Sequence, residues 1–279
     1  MHRRMRFPGF LGKALTLSYD DGVQTDERLI KIMQKNGLKG TFNINSGLFA
    51  PEGTVYPEGQ THRRMSKKEA YQLYKDSGME IATHGYNHPH LENLTEPEIT
   101  SEILLDRIDI EKETGIITRG HAYPYGTYND TVVNCLKACG ILYARTVSPT
   151  YKFTVPDDLL RLQPTCHHKA ENLMDYAQKF KETVVQNEPM LFYLWGHSYE
   201  FERDNNWNVI ENFAEYIGNC EDIWYATNTE IFEYIENYRK IITSGDGNLV
   251  YNPTNTVLYF NIKDKDYKIE PGETVDISK

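Results

Sequence analysis

The most informative segment of the chain is Leu15-Thr16-Leu17-Ser18-Tyr19-Asp20-Asp21-Gly22. Its apolar run ends at two adjacent carboxylates, where a short strand should stop. Two carboxylates that face one cavity repel each other unless a cation or hydrogen bonds compensate their charge. The stretch therefore predicts either a metal site with a base beside it or an Asp-Asp-Gly turn that ends a strand at the surface.

Length and composition indicate one large globular domain, or one domain with an appendage. The 279 residues are 39% hydrophobic and 25% charged, which excludes a mainly disordered chain. The net charge of −10, without a sustained basic run, argues against nucleic acid or an acidic membrane surface as a partner. The 20 tyrosines suit the binding of sugar rings, because Tyr offers a flat apolar face and a hydroxyl group.

The sequence shows no segment for membrane insertion or export. No apolar run approaches the roughly 18 residues that span a bilayer, and no apolar region follows the first positive charges. We therefore expect a cytoplasmic protein without a membrane partner. The 4 cysteines show no disulfide framework, and a homo-oligomer is left open.

Apolar and amphipathic segments alternate up to about residue 240. Strands are predicted at residues 13–18, 40–44, 79–83, 120–122, 143–146, 160–164, 190–195 and 223–225. Helices are predicted at residues 25–36, 66–77, 95–114, 129–138, 171–188 and 207–219. This alternation indicates a parallel sheet covered by helices, most economically a β/α barrel.

The pattern changes after residue 243. Residues 250–262 and 267–277 alternate apolar and polar side chains and carry no helix signal. We therefore predict a barrel domain over residues 1–243 and a small β appendage over residues 244–279.

A second polar motif, His84-Gly85-Tyr86-Asn87-His88, directly follows a predicted strand. Two histidines four residues apart can converge on one metal ion. The working groups of a β/α barrel lie at the carboxyl ends of its strands, where this motif and the Asp20-Asp21 pair would meet. Two histidines and one carboxylate form a common metal triad that leaves positions for water and substrate, so a divalent metal site is predicted.

Three further motifs lie at or beyond predicted strand ends. Ala122-Tyr123-Pro124-Tyr125-Gly126 is either a Pro-Gly turn stabilised by aromatic packing or a loop that aims the Tyr125 N–H at a developing oxyanion. In Leu194-Trp195-Gly196-His197, the histidine has a pKa suited to a general acid. Cys166-His167-His168 lacks partners for a second metal site, and its last histidine is expected either to contact substrate or to lie on the surface.

In their order and spacing, these motifs resemble those of the polysaccharide deacetylases, the NodB-homology domains of carbohydrate esterase family 4. The resemblance covers roughly residues 10–235. It implies a distorted (β/α)7 barrel and a divalent metal ion, usually zinc, with cobalt, nickel or manganese as substitutes. It also implies a hydrolase that removes an acetyl group from an N-acetylated or O-acetylated sugar or oligosaccharide.

The resemblance assigns a role to individual residues. The implied metal ligands are Asp21, His84 and His88. The implied base, oxyanion N–H donor and acid are Asp20, Tyr125 and His197, respectively. The predicted substrate contacts are Trp195, which would shape the acyl pocket, Tyr123 and His168.

Two family positions differ in this chain. The family usually has an arginine four residues before the motif tyrosine, where this chain has His121. It also usually has an Asp-x-x-Asp-Trp element, which is missing near residues 143–153. We expect Arg145 to hold Asp20 ionised and oriented instead, and Glu200 to replace the missing partner of the acid.

Three other functions stay open. A relative of the same fold would hydrolyse a non-sugar amide, such as a ureide or a cyclic imide. Two histidines and a carboxylate also form the facial triad of non-haem iron oxygenases, although Asp20 and His197 argue against that chemistry. An inactive glycan-binding relative would account for His121 and for the missing Asp-Trp element.

Overall fold

The computed structural model describes residues 2–263 and 265–278. The strands in these ranges are β1 (Arg4–Arg6), β2 (Lys13–Asp20), β3 (Gly40–Ile44), β4 (Glu80–Thr83), β5 (Gly120–Ala122), β6 (Tyr143–Arg145), β7 (Cys166–His167), β8 (Met190–Gly196), β9 (Ile223–Tyr225), β10 (Ile242–Thr243), β11 (Leu249–Tyr251), β12 (Leu258–Ile262), β13 (Lys265–Ile269) and β14 (Thr274–Asp276). The α-helices are α1 (Asp26–Lys35), α2 (Lys67–Lys75), α3 (Glu96–Thr114), α4 (Asp130–Ala138), α5 (Leu173–Glu182), α6 (Tyr199–Arg203), α7 (Asn208–Ile217) and α8 (Asn228–Arg239).

The central sheet is parallel throughout. Its strands follow the order β6-β5-β4-β3-β2-β8-β7, and β9 pairs with the first half of β2. Strand β2 lies in the middle and is buried along its whole length, as its apolar sequence predicts. The sheet curls into an incomplete barrel with helices outside, which confirms the predicted distorted (β/α)7 fold.

The predicted strand at residues 160–164 is wrong. The chain there forms a 3-10 turn at Leu159–Arg161 and one parallel bridge between Leu162 and Arg145, before β7 begins. A short apolar run does not by itself distinguish a strand from other buried structure. The chain crosses the gap between β6 and β7 here, and this single bridge is its parallel pairing with β6.

The helices also differ from the prediction. Helix α5 ends at Glu182 instead of residue 188, because Val184 and Val185 are weak helix formers. Helices α6 and α8 were not predicted. The start of α8 could have been recognised from the sequence, because Thr227 and Glu230 form a capping box. No helix in the described part of the chain has the length and apolar character that crossing a membrane requires.

The predicted β appendage consists of two three-stranded antiparallel sheets, β1-β12-β13 and β10-β11-β14. Strand β1 comes from the start of the chain and pairs with β12, so both ends of the chain contribute to it. Val250 and Phe260 share a hydrophobic cluster with Phe232 and Ile235 of α8. The appendage therefore packs on the barrel through α8, and the domain boundary at residue 243 stays a prediction.

Helix α8 is tied to the amino-terminal end of the barrel by Glu80, the first residue of β4. The Glu80 carboxylate accepts hydrogen bonds from the Thr229 N–H and hydroxyl at 2.8 and 2.6 Å. It also accepts from the hydroxyls of Tyr143 and Thr41, at 2.7 and 2.8 Å. One side chain thus links three strands of the sheet to the start of α8.

We predict that Glu80→Ala lowers the free energy of unfolding by about 2–3 kcal/mol, because it leaves the buried hydroxyls of Tyr143 and Thr41 without an acceptor. Urea denaturation followed by circular dichroism measures the loss. The matched control Glu233→Ala removes an exposed pair with Arg119 and should cost less than about 1 kcal/mol. Equal losses in the two variants would contradict the role of Glu80.

Candidate active site

The predicted motifs meet at the carboxyl end of the barrel, where parallel strands end together. The side chains at or just beyond these strand ends are Asp20, His84, Tyr123, Arg145, His167 and His197. The sheet therefore gathers groups that lie far apart in the chain, from Asp20 to His197.

Asp20 is 2% exposed and pairs with Arg145. The Arg145 Nη2 lies 2.6 and 2.5 Å from Oδ1 and Oδ2 of Asp20, and Asn43 donates to Oδ1 at 2.8 Å. Burial alone raises the pKa of Asp20. The charge of Arg145, followed by those of His84 and His197, outweighs burial, so the net shift of the pKa is downward. Oδ2 faces the Nε2 atoms of both histidines at 3.9 Å.

Asp21 faces the same cavity as Asp20 because its backbone is left-handed, with φ +87°. Successive residues of an extended strand point to opposite faces, whereas this turn brings the second carboxylate back. Arg64 and His62 hold it, with nitrogens 3.2 Å from Oδ1 and Oδ2 respectively. Burial by itself raises the pKa of Asp21, but the His62 hydrogen bond and the Arg64 charge lower it well below its usual range.

His84 and His88 present neutral rings to Asp21. The His84 Nδ1 donates to the Ala122 carbonyl at 2.8 Å, so its Nε2 keeps a free lone pair. The Nε2 atoms of the two histidines lie 3.2 Å apart. Burial lowers the pKa of His84, and burial together with the neighbouring His84 lowers the pKa of His88 to about 4.

The donor atoms of Asp21, His84 and His88 all lie within 4.8 Å of one another. One carboxylate and two neutral imidazoles are the donor set that zinc and related divalent ions prefer. These three residues therefore fit a divalent metal ion.

Asp106 of α3, which sequence reasoning missed, supports the His84 loop. Its Oδ2 accepts from the His84 N–H at 2.9 Å, and its Oδ1 accepts from the N–H and hydroxyl of Ser46 at 2.8 and 2.7 Å. Burial raises the pKa of Asp106 to about 7. Asp106 lies on the buried face of α3 together with Ile103 and Ile110. An acidic residue on the apolar face of a predicted helix indicates a buried polar contact, so the sequence could have identified it.

Tyr125 and Tyr123 occupy different environments. The Tyr125 ring is 54% exposed, stacks on His90 with centroids 3.9 Å apart and contacts the His88 ring at 4.5 Å. Tyr123 is 1% exposed, and its hydroxyl donates to the Leu160 carbonyl at 2.7 Å. Tyr125 thus lies beside His88, one of the three candidate metal ligands, whereas the buried Tyr123 presents almost no surface for the predicted substrate contact.

His197 lies between Asp20 and Glu200. Its Nε2 is 3.9 Å from Asp20 Oδ2, and its Nδ1 is 3.6 Å from Glu200 Oε2. Burial alone lowers the pKa of His197, but Glu200 and Asp20 raise it and prevail. Trp195 is 9% exposed, and its ring centroid lies 4.5 Å from the Arg145 guanidinium carbon.

Glu200 also provides partners for the motif that was expected to lack them. The Nε2 atoms of His167 and His168 each lie 3.2 Å from Glu200 Oε2, and one donor atom each of His167, His197 and Glu200 fall within 4.8 Å of one another. However, the Lys169 N–H donates to His167 Nδ1 at 3.1 Å, so neutral His167 carries its proton on Nε2. The cluster therefore suits protonated nitrogens around a carboxylate better than a second metal ion.

His168 is 1% exposed, and its ring packs against Tyr19 and Phe201 with centroids 5.7 and 4.1 Å apart. A Cβ atom at Gly196 would lie 2.0 Å from the His168 ring, so only glycine allows this approach. The predicted substrate contact of His168 is not supported by this buried position.

Asp26, the first residue of α1, anchors the residue that follows His197. Its Oδ1 accepts from the Ser198 hydroxyl, and its Oδ2 accepts from the Tyr74 hydroxyl at 2.6 Å and the Val23 N–H at 3.1 Å. Asp26 is fully buried, and burial raises its pKa to about 7. A carboxyl behind the site thus connects the β2–α1 loop to the His197 loop.

Residues 10–144 match the sequence model of the polysaccharide deacetylase family. This range, just under half of the chain, is similar to the polysaccharide deacetylases. The matched range contains the Asp20-Asp21, His84–His88 and Tyr125 motifs, whereas His197 and Glu200 lie beyond it.

Two known proteins are similar to part of this chain. The chain is 30% identical over 117 residues to chitin deacetylase 1 from Cryptococcus neoformans var. grubii, and 30% identical over 108 residues to the uncharacterized protein YlxY from Bacillus subtilis. The matches cover 42% and 39% of this chain, but only 22% and 29% of the two relatives. The chain thus matches less than a third of the length of each.

Solved structures share the fold over most of the chain. A family 4 carbohydrate esterase from Streptomyces lividans, in complex with acetate, has a TM-score of 0.53 at 17% identity and covers 79% of this chain and 95% of its own. A Mycobacterium smegmatis protein assigned to the polysaccharide deacetylases has a TM-score of 0.59 at 16% identity, with 85% and 95% covered. At 16–17% sequence identity, the structural similarity to these two proteins shows a shared fold alone.

We predict that Asp26→Asn changes the pH dependence of stability. The folded-state pKa of about 7 exceeds the value of about 4 in an unfolded chain, so the stabilising contribution of Asp26 is complete below about pH 4 and is lost as the pH rises through about 7. The free energy of unfolding, taken as wild type minus variant, should therefore fall over this range. Urea denaturation in EDTA at several pH values measures it, and a constant difference would contradict the prediction.

Proposed function

We propose that this chain is a metal-dependent deacetylase that removes an acetyl group from an N-acetylated or O-acetylated sugar or oligosaccharide. The observation that carries the proposal is the position of the ionised Asp20, which lies between the donor set of Asp21, His84 and His88 on one side and His197 on the other. The family match supports hydrolysis of an acyl bond.

Asp21, His84 and His88 would hold a divalent metal ion, which we expect to be zinc, with cobalt, nickel or manganese as substitutes. Such an ion polarises an acyl carbonyl and lowers the pKa of water. The His84 Nδ1–H bond to the Ala122 carbonyl fixes the tautomer in which Nε2 is the ligand atom.

Asp20 would act as the general base through Oδ2. Asn43 donates to Oδ1 and Arg145 donates to both oxygens, while Oδ2 also faces the Nε2 atoms of His84 and His197. Oδ2 accepts a proton from the water that attacks the acyl carbon. Because its pKa is lowered, the carboxylate is ionised at neutral pH and available as an acceptor.

His197 would act as the general acid. Its raised pKa favours the protonated ring, and Glu200 faces Nδ1, which leaves Nε2 for the reaction. Nε2–H protonates the leaving nitrogen as the carbon–nitrogen bond breaks, which yields acetate and a free amine. The Tyr125 backbone N–H, beside His88, would donate to the oxyanion, and Trp195 would shape the acyl pocket.

Arg145 would take over the task of the arginine that the family places at position 121. His121 is fully buried, and its Nδ1 lies 2.8 Å from the Thr83 hydroxyl. Arg145 lies on the neighbouring strand β6 and reaches both oxygens of Asp20. The guanidinium would thus come from β6 instead of β5, the strand that carries position 121.

A substrate panel tests this function. Zinc-reconstituted protein should release acetate from chitooligosaccharides or from O-acetylated xylo-oligosaccharides. Ammonia release from a ureide or cyclic imide, without acetate release from sugars, would instead identify an enzyme that acts on a non-sugar amide. Glycan binding without any turnover would identify an inactive binding protein.

We predict that Asp20→Asn lowers kcat by roughly 10²–10⁴-fold with zinc still bound, because the amide cannot accept the water proton. Metal content is measured beside acetate release. The control Asp130→Asn removes a carboxylate whose side chain is 90% exposed and should leave kcat unchanged. Full activity in metal-loaded Asp20→Asn would rule out Asp20 as the base.

We also predict that Arg145→Ala lowers kcat by roughly 100-fold or more, because the base loses the guanidinium that contacts both of its oxygens and orients it. Zinc affinity, measured by chelator competition, should fall less than kcat, since Arg145 does not touch Asp21, His84 or His88 through any described hydrogen bond or ion pair. Arg145→Lys should restore folding better than activity, because an ammonium group cannot reproduce the planar guanidinium that contacts Asp20 through Nη2 and the Thr146 carbonyl through Nη1. Unchanged kinetics in both variants would refute this assignment.

A further inference from the structure

His62-Arg63-Arg64, which we call the clasp, belongs to the long loop between β3 and α2 and lies over Asp21. Its backbone pairs with the residues that follow Asp21, through an antiparallel Val23–Arg64 bridge and a 3.2 Å hydrogen bond from the Met65 N–H to the Gly22 carbonyl. The clasp is therefore attached to the strand end that carries both carboxylates.

Arg64 bonds the backbone and the side chain of Asp21 at once. Its Nη1 donates to the Asp21 carbonyl oxygen, and its Nη2 donates to Asp21 Oδ1 at 3.2 Å. The left-handed backbone of Asp21, with φ +87°, costs a non-glycine residue about 1–3 kcal/mol. A rigid guanidinium fork on both groups stabilises this conformation and fixes the direction of the carboxylate.

Arg64 also reaches the second ligand loop through Asn45. Its Nη1 lies 2.7 Å from Asn45 Oδ1, and the Asn45 Nδ2 donates to the carbonyls of His84 and Gly85 at 2.6 and 2.7 Å. Asn45 is 1% exposed, so water does not compete with these bonds. A continuous chain of hydrogen bonds thus joins the loops after β2 and β4.

Charge and geometry make opposite predictions for Arg64. A guanidinium beside a cation site repels the cation, so electrostatics alone predicts tighter metal binding when Arg64 is removed. A positioning role predicts weaker binding, because Asp21 and the His84 loop lose their common support. The sign of the change therefore separates the two effects.

We propose that Arg64 is a positioning residue that sets the geometry of the Asp21, His84 and His88 metal site, acting on Asp21 directly and on His84 through Asn45. This inference rests on the metal site of the proposed function. It extends that function to a residue that lies outside all of the motifs recognised in the sequence.

The test compares Arg64→Ala with Arg63→Ala. Arg63 is the next residue of the same clasp, but it forks onto Glu202 of α6 at 2.7 and 2.8 Å. Zinc affinity is measured by competition with a chelator, and the cobalt absorption spectrum reports the ligand geometry. Arg64→Ala should weaken zinc binding 10–100-fold and change the cobalt spectrum, whereas Arg63→Ala should stay within about threefold of wild type.

Two further variants keep the proposal falsifiable if Arg64→Ala does not fold in EDTA. Arg64→Lys should recover only part of the affinity, and Asn45→Ala should weaken zinc binding with a smaller change in the cobalt spectrum. Unchanged or tighter zinc binding in the folded Arg64 variants would overturn the inference. Zinc binding and acetate release can also fail separately. If the Arg64 variants bind zinc more weakly than the wild type, but the wild type releases no acetate, the proposed deacetylase activity is wrong and this inference still holds.

Discussion

The buried ion pair between Asp20 and Arg145 is the interaction on which the rest of the site depends. A carboxylate that is 2% exposed stays ionised only when a cation and hydrogen bonds compensate its desolvation. In the order of the sheet, β6 lies four strands away from β2, yet the Arg145 guanidinium touches both oxygens of Asp20. The sheet has to curl for this contact to form. The curvature of the barrel is therefore needed to keep Asp20 ionised.

Around this pair, three motif residues adopt a left-handed backbone that is uncommon outside glycine. They are Asp21, His88 and Tyr125, with φ of +87°, +54° and +58°. Each such residue costs about 1–3 kcal/mol, so neighbouring groups have to hold it. Arg64 does so for Asp21, and ring contacts join His88 to Tyr125. The stabilising partners lie outside the strands, and the loops therefore matter as much for this site as the barrel does.

Sequence reasoning succeeded where the signal was local. Strand ends followed by Asp20-Asp21 or His84–His88 were predicted, and the structure gathers those side chains at one end of the barrel. It failed at residues 160–164, because an apolar run looks the same whether it forms a strand or merely crosses a gap. Asp106 was missed although its place in the α3 stripe was readable. Asn45 and Arg64 carry no comparable signal, since their contacts run between separate loops.

The amino-acid sequence by itself determined the parallel barrel, the order of its motifs and the residue types that meet at its mouth. Strand and helix periods, capping residues and strand-end polar residues are all local properties of the chain. The contact between Arg145 and Asp20 was expected from the sequence, whereas the contacts of Glu200 with His167 and His168, and the burial of His168 and Tyr123, appear only in the folded structure. The physical reason is that these contacts depend on how far the sheet curls and on where its loops return, which no pattern of neighbouring residues specifies.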